Sequence, residues 1–374
     1  MTEPWYLSPD VAALAADLPT PTYIYHGPTI DRAAAALRAL RHVDRLFYAQ
    51  KANDHPAVVK RITSVGFGVE CTSAAEVAHA VDLAPAAPLL LTANFAPKGE
   101  YAAALAAGAA VTLDGLHPLL EWPELFRDRE VILRFDGGEG QGHHRHVRTA
   151  GDDAKFGLLP SDLPAVREAA SRAGARVVGL HTHSGSGIFK PGAWAKHLAF
   201  LAALAEHFPE VRLFDVGGGL GVRYGAGKPL NLGAVDRALG AARAAIPRKH
   251  ELWLEAGRFL VCDAGILLTR VTQLKTKGDR RYVGVDAGMH ALIRPALYGA
   301  RHGVVCLSRP TAPPTQRVSV VGPICESADV LAWDAPLPDV REGDLLAITH
   351  AGAYGRTMAS HYNRRRVGEV FLSG

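Results

Sequence analysis

Lys51 follows directly on the apolar and aromatic run RLFYAQ (45–50), so a strand there delivers its amine at the strand's C-terminal end. Desolvation at such a position disfavours the ammonium and leaves a nucleophilic amine, the reagent for Schiff-base chemistry. A structural lysine held in an ion pair is the competing reading. Other apolar runs end in residues of comparable potential: Glu70 and Cys71, then His181 and His183 with Ser184-Gly185-Ser186-Gly187, then Gly217-Gly218-Gly219-Leu220-Gly221, then Glu255, Gly257 and Arg258. Glycine turns let backbone N–H groups approach a phosphate. An arginine beside them adds charge-assisted bonds to phosphate or carboxylate.

The conjunction of these residues points to pyridoxal 5'-phosphate carried as a Schiff base on Lys51. His183 suits stacking on the pyridine ring, and Glu255 suits holding its nitrogen protonated. Other chemistries fit less well. His181 and His183 with His143, His144 and His146 offer metal ligands, but the last three lie in the polar, Gly-rich stretch 137–157, which reads as an active-site loop; no metal is expected. GGGLG fails the GxGxxG spacing, G-x4-GK[ST] is absent, and Ser186 lacks a GxSxG frame.

The elements that must position these residues follow a regular beat. Apolar runs at 45–50, 67–71, 88–92, 110–113, 130–135, 177–182, 211–216 and 251–255 are continuous rather than alternating, as in strands buried on both faces of a parallel sheet. Ala-rich amphipathic segments lie between them, opened by Pro28, Thr72-Ser73, Pro97 or Pro164 and closed by Gly108 or Gly174. Eight such units predict a (β/α)8 barrel, with functional residues at the strands' C-terminal ends. From about 262 onward, β-like runs at 264–274, 281–285, 303–307, 316–321, 344–348 and 367–372 lack long helices, which predicts a mainly antiparallel β domain. The strand-like TPTYIYH (20–26) is a candidate to join that sheet.

Composition agrees. With 374 residues, 48% hydrophobic and 21% charged, the chain is too apolar for disorder and long enough for a barrel plus a smaller domain. A net charge of +4 gives no reason to expect nucleic-acid or membrane binding. Cys71, Cys262, Cys306 and Cys325 are widely spaced, arguing against disulfides or structural zinc and for a reducing compartment. No apolar run is long enough to span a membrane and no signal peptide is evident, so a cytoplasmic protein is expected.

The segments FYAQKAN (47–53), VECTSAAEV (69–77), GLHTHSGSGI (179–188), DVGGGLGVRY (215–224), LEAGRFLV (254–261), VDAGMHALIRPALYGARH (285–302), VVGPICESADV (320–330) and AGAYGRTMASHYN (351–363) run through almost the whole chain. In them the sequence resembles the fold-type III pyridoxal-phosphate decarboxylases, and IRPALYG resembles their diaminopimelate branch rather than the ornithine or arginine branches. The resemblance implies a barrel over 27–261 and a β domain from 1–26 and 262–374 that contributes to the partner subunit's active site in a head-to-tail homodimer. It implies that Lys51 carries the cofactor, that His183 stacks on its ring and that Glu255 meets its nitrogen. Ser186, Gly217, Gly218, Gly219, Gly257 and Arg258 then belong to the phosphate turns. Arg294 and Tyr298, with Arg258 sharing the role, match residues that hold the substrate's distal carboxylate; Tyr354 lies near cofactor and substrate. Cys325 matches a proton donor and Glu326 a ligand of the distal amino group, both from the other subunit. The implied reaction is decarboxylation of meso-2,6-diaminopimelate to L-lysine; a related decarboxylase acting on another carboxylated diamine or basic amino acid is the alternative. A non-catalytic pyridoxal-phosphate carrier would not need the C-terminal domain with its CES motif. His290 stands where the family usually has Asn, Thr349-His350 where an acidic residue is common, and GSG where GSQ is frequent.

Overall fold

The computed structural model of the protein describes residues 4–138, 140–142, 149–151, 154–225 and 227–374. His143, His144 and His146, and with them much of the 137–157 stretch, lie outside the described residues. The chain forms two compact units, Arg32–Val222 with Pro229–Phe259, and Met1–Asp31 with Arg223–Lys228 and Leu260–Gly374.

The first strand, β1 (Thr22–His26), belongs to the second of these units. The barrel unit follows with β2 (Arg45–Ala49), β3 (Gly68–Cys71), β4 (Leu89–Thr92), β5 (Ala110–Leu113) and β6 (Glu130–Arg134). A short β7 (Gln141–Gly142) precedes β8 (Arg176–His181), β9 (Gly185–Ser186), β10 (Leu213–Asp215) and β11 (Glu251–Ala256). All eight long-range pairings are parallel, and β2–β6, β8, β10 and β11 close into a barrel in which Leu254 of β11 pairs with Leu46 of β2. These are the eight runs expected from continuous apolarity, with ends displaced by one or two residues. Phe47, Leu90, Ile132 and Leu213 come from alternate strands β2, β4, β6 and β10 and fill one layer of the interior. Gly68 and Gly179 on the intervening strands make room: a Cβ there would lie 2.6 Å from the Phe47 ring and 2.4 Å from Leu213. Between strands, Ser73 caps the helix Ala74–Leu83 by accepting from the Glu76 N–H, and Gly174 ends the helix Leu163–Ala173 at φ 67°.

In the other unit lie β12 (Gly265–Lys277), β13 (Arg280–Val285), β14 (Val304–Cys306), β15 (Gln316–Val321), β16 (Val330–Leu337), β17 (Leu345–Ile348) and β18 (Gly368–Leu372). The sheet order is β14-β17-β12-β13-β15-β16, with β1 joining β12 and β18. Pairings are antiparallel except β13 with β15 and β1 with β18. TPTYIYH thus does join the C-terminal sheet. Ile24, Ile266, Leu268, Leu345 and Ala347 form its core. β16 was not anticipated. Its alternation is broken by register shifts against β15, by Asp334 at φ 53° and by Pro336, so VLAWDAPL reads as a link. Among the described residues no helix is long and apolar enough to cross a membrane.

Candidate active site

Strand β2 stops at Ala49, one residue short of the expected run, and Gln50–Ala52 form a 3-10 turn that bears Lys51. Buried Gln50 anchors the turn, its Nε2 donating to the Glu76 carbonyl (2.6 Å) and to Cys71 Sγ (3.1 Å). Gly257 packs against the same turn: a Cβ would meet those of Ala52 and Ala49 at 3.1 and 3.2 Å. Lys51 Nζ donates to Glu70 Oε2, and Glu70 is fully buried at the end of β3 with its other oxygen lacking a hydrogen-bond partner.

The neighbouring strands β8, β10 and β11, the last of which pairs with β2, bring His181, Asp215 and Glu255 together, one ligand-capable atom of each lying within 4.8 Å of the others. His181 Nε2 is 3.6 Å from Glu255 Oε1. Burial, then the neighbouring Asp215, holds the Glu255 carboxyl well above the usual range, and burial raises Asp215 to about 7. Burial first and Arg134 second hold His181 and His183 well below theirs, so both imidazoles are neutral at pH 7. Arg134 is itself buried and pairs with Asp114 at 3.2 Å.

The glycine turn after β10 leaves no room for side chains. A Cβ on Gly217 would sit 2.6 Å from His183 Nδ1, on Gly218 2.3 Å from the Glu255 carbonyl and on Gly219 2.2 Å from the Gly185 carbonyl. Gly217 and Gly219 also require φ of 67° and 87°. The Gly217 N–H donates to Asp215 Oδ1 (2.9 Å) and the Gly218 N–H to His183 Nδ1 (3.0 Å), which leaves the His183 proton on Nε2. Trp194 clamps the turn from behind by donating to the Gly218 carbonyl (2.9 Å). Arg258, 6% exposed, donates to Ser186 Oγ at 3.1 and 3.2 Å.

These residues fit pyridoxal phosphate. Glu255 Oε1 is a buried acceptor lacking a hydrogen-bond partner, as a protonated ring nitrogen requires. The side-chain-free turn beside Ser186 and Arg258 is a cradle for a phosphate.

The remaining candidates lie in the other unit. Arg294 opens the helix Arg294–Tyr298, is 2% exposed, and has its Cζ 5.8 Å from the ring centroids of both Tyr298 and Tyr224. Tyr354 is held at φ 55°, unusual for an aromatic residue. His290 is buried, with neither ring nitrogen hydrogen-bonded. Cys325 and Glu326 are exposed on the loop between β15 and β16. Asp329 shapes that loop by accepting from the N–H groups of Ile324 (2.7 Å) and Met289 (2.5 Å). Tyr362 O–H donates to Glu326 Oε1 at 2.8 Å, and Asn363 Nδ2 lies 3.6 Å from Cys325 Sγ.

Sequence reasoning gave no role to Glu70, Arg134, His181, Asp215 or Tyr224. The position of the first four at or near strand ends was the available signal.

The chain matches the family model "pyridoxal-dependent decarboxylase, pyridoxal binding domain" over residues 28–262. It is 36% identical to the diaminopimelate decarboxylase of Deinococcus radiodurans, covering 95% of this chain and 90% of that one. It is 35% identical to that of Methanothermobacter thermautotrophicus, covering 88% and 80%. The crystal structure of Helicobacter pylori diaminopimelate decarboxylase complexed with L-lysine superposes with a TM-score of 0.88 at 27% identity, covering 96% and 93%. A lysine on the first barrel strand's exit, buried acids on the two strands beside it and a glycine cradle thus occur in a chain that belongs to the pyridoxal-dependent decarboxylases.

Proposed function

We propose that the chain removes CO2 from meso-2,6-diaminopimelate to give L-lysine, the last step of lysine biosynthesis, and that it works in the cytoplasm. The observation that carries this is the identity to diaminopimelate decarboxylases over nearly the full chain. The buried Arg294 supports it as a receptor for the carboxylate that lysine retains.

Bound pyridoxal phosphate supplies the electron sink for the carbon that loses CO2. Lys51 would hold the cofactor through Nζ, and its amine would be the group that the substrate's amine replaces. Glu255 would hold a proton on the ring nitrogen, and neutral His183 would be the group to stack on the ring. Ser186, Arg258 and the Gly217–Gly219 turn hold the phosphate, while Gly257 lets the Lys51 turn pack closely. Glu70 keeps Lys51 oriented from its buried position. Arg294 and Tyr298, with Arg258, hold the distal carboxylate, and Tyr354 lines the substrate. Cys325 of the partner subunit delivers a proton to Cα, and Glu326 of the partner subunit binds the distal amine.

A head-to-tail homodimer is part of the same proposal. Cys325 and Glu326 are solvent-exposed, as groups serving another subunit must be in an isolated chain. Phe95, 78% exposed, lines a cavity of about 670 Å³ with Trp122, His117 and Tyr101, an apolar surface that a second subunit would bury.

Release of CO2 from meso-diaminopimelate, measured beside ornithine, arginine and carboxynorspermidine, tests the assignment. Turnover of diaminopimelate well above the other three is expected; its absence overturns the reading.

A further inference from the structure

We propose that Tyr224 is the positioning residue for Arg294, and through it a determinant of specificity for substrates with a carboxylate on the non-reacting end. The proposal rests on the reading of Arg294 as the group that holds that carboxylate.

Arg294 NH2 donates to the Tyr224 hydroxyl at 3.4 Å, and its guanidinium carbon lies 5.8 Å from the centroids of both the Tyr224 and the Tyr298 rings. Aromatic faces and a neutral hydroxyl hold a guanidinium without cancelling its charge, which leaves it attractive to an incoming anion. The planar fork recognises a carboxylate only when its orientation is fixed, and Tyr224 touches it through both ring and oxygen.

Tyr224 is itself fixed from three sides. Cys262 Sγ donates to its hydroxyl at 3.3 Å. The His302 ring meets it edge-on at 5.3 Å, and the His350 ring packs at 5.5 Å. Both histidines are tied to one residue: His302 Nδ1–H donates to the Thr349 carbonyl (2.9 Å), and His350 Nδ1 lies 2.9 Å from Thr349 Oγ1. Thr349 and His350 are the pair that stands where an acidic residue is common, and of this wall the His350 ring and the Thr349 hydroxyl beside it come from that departure.

The test uses the cofactor-loaded enzyme and two inhibitors of the same length, L-lysine, which keeps the carboxylate, and 1,5-diaminopentane, which lacks it. Tyr224→Phe preserves the ring and packing and loses the hydroxyl. It should raise KM for diaminopimelate and the inhibition constant of lysine about tenfold, the worth of a hydrogen bond to a charged group. Tyr224→Leu should raise both by a further few-fold as the aromatic face is lost. The inhibition constant of diaminopentane should stay within about twofold throughout, an asymmetry that general damage would not produce. Equal changes for the two inhibitors, or none for either, overturn the proposal if Arg294→Ala still abolishes selection of lysine over diaminopentane. If Arg294→Ala leaves that selection intact, the role of Arg294 itself is wrong, and the proposal falls with it.

Discussion

Lys51 Nζ lies 2.5 Å from Glu70 Oε2, yet the lysine side chain is 37% exposed and the glutamate 1%. The pair therefore has a wet end, where an amine can meet a carbonyl, and a dry end that fixes its direction. Removing Lys51 strands the buried carboxylate. A fully buried pair would cost several kcal/mol, but with the lysine this exposed about 1–2 kcal/mol is expected. Lys51→Ala should abolish the cofactor's Schiff-base absorbance and lower the thermal midpoint of the apo-protein. Adding Glu70→Gln should restore part of that midpoint without restoring absorbance. Additive losses would show that the two side chains are not coupled.

Glu255 is buried beside His181 and Asp215, and the role proposed for it is electrostatic. Glu255→Gln should lower kcat about 10²- to 10³-fold, the range seen when a preorganised charge partner is removed. Equilibrium titration should show the cofactor still binding through Lys51 and the phosphate cradle. An unchanged kcat would remove Glu255 from the ring-nitrogen role.

Asp215 provides a pH test. Burial raises its carboxyl to about 7, above the value near 4 of an unfolded chain. A folded value above the unfolded one means that folding favours the protonated form. This contribution is complete below about pH 4 and is lost as pH rises through 7. Asp215→Asn should flatten the decline of apo-protein thermal stability between pH 5 and 8. An undiminished slope would place the titration elsewhere.

The barrel was legible because strands covered on both faces must be continuously apolar, and RLFYA, LLLT and EVILR are so without reference to any partner. β16 was not, because its bulged register depends on β15 and not on its own pattern. The site divided in the same way. Lys51, His183 and Glu255 were candidates by type and by position at or after a strand's end. Glu70, His181 and Asp215 stood at similar positions, but their partners are 19 to 74 residues away in sequence, and only the pairing of neighbouring barrel strands brings them together. Tyr224 was quoted within a motif yet had no role, since nothing in GVRY indicates that its ring faces Arg294.

Cys325 offers a thiol on an exposed loop that Asp329 shapes through two backbone N–H groups. A loop held from beneath presents its tip reproducibly, as a proton donor requires. Cys325→Ala should leave the cofactor spectrum intact and lower kcat about 10²-fold, the lower range for loss of a general acid. Full activity in this variant would exclude the thiol as donor.

If each site draws Lys51 from one subunit and Cys325 from the other, two inactive variants should complement. A Lys51→Ala homodimer lacks the lysine in both sites, and a Cys325→Ala homodimer lacks the thiol in both. In a mixed dimer one site carries both lesions and the other carries neither, because two-fold symmetry pairs each lysine with the opposite thiol. Equal mixing with free exchange makes about half of the dimers mixed, so about a quarter of all sites are intact. Activity should rise from the background of either variant towards about a quarter of the wild-type value after co-refolding. Sites built within one subunit would give no recovery, since every site would keep at least one lesion. A Phe95→Asp substitution supplies the control: a charge on that exposed ring position should weaken association, shift the sedimentation profile towards monomer and suppress the recovered activity in step.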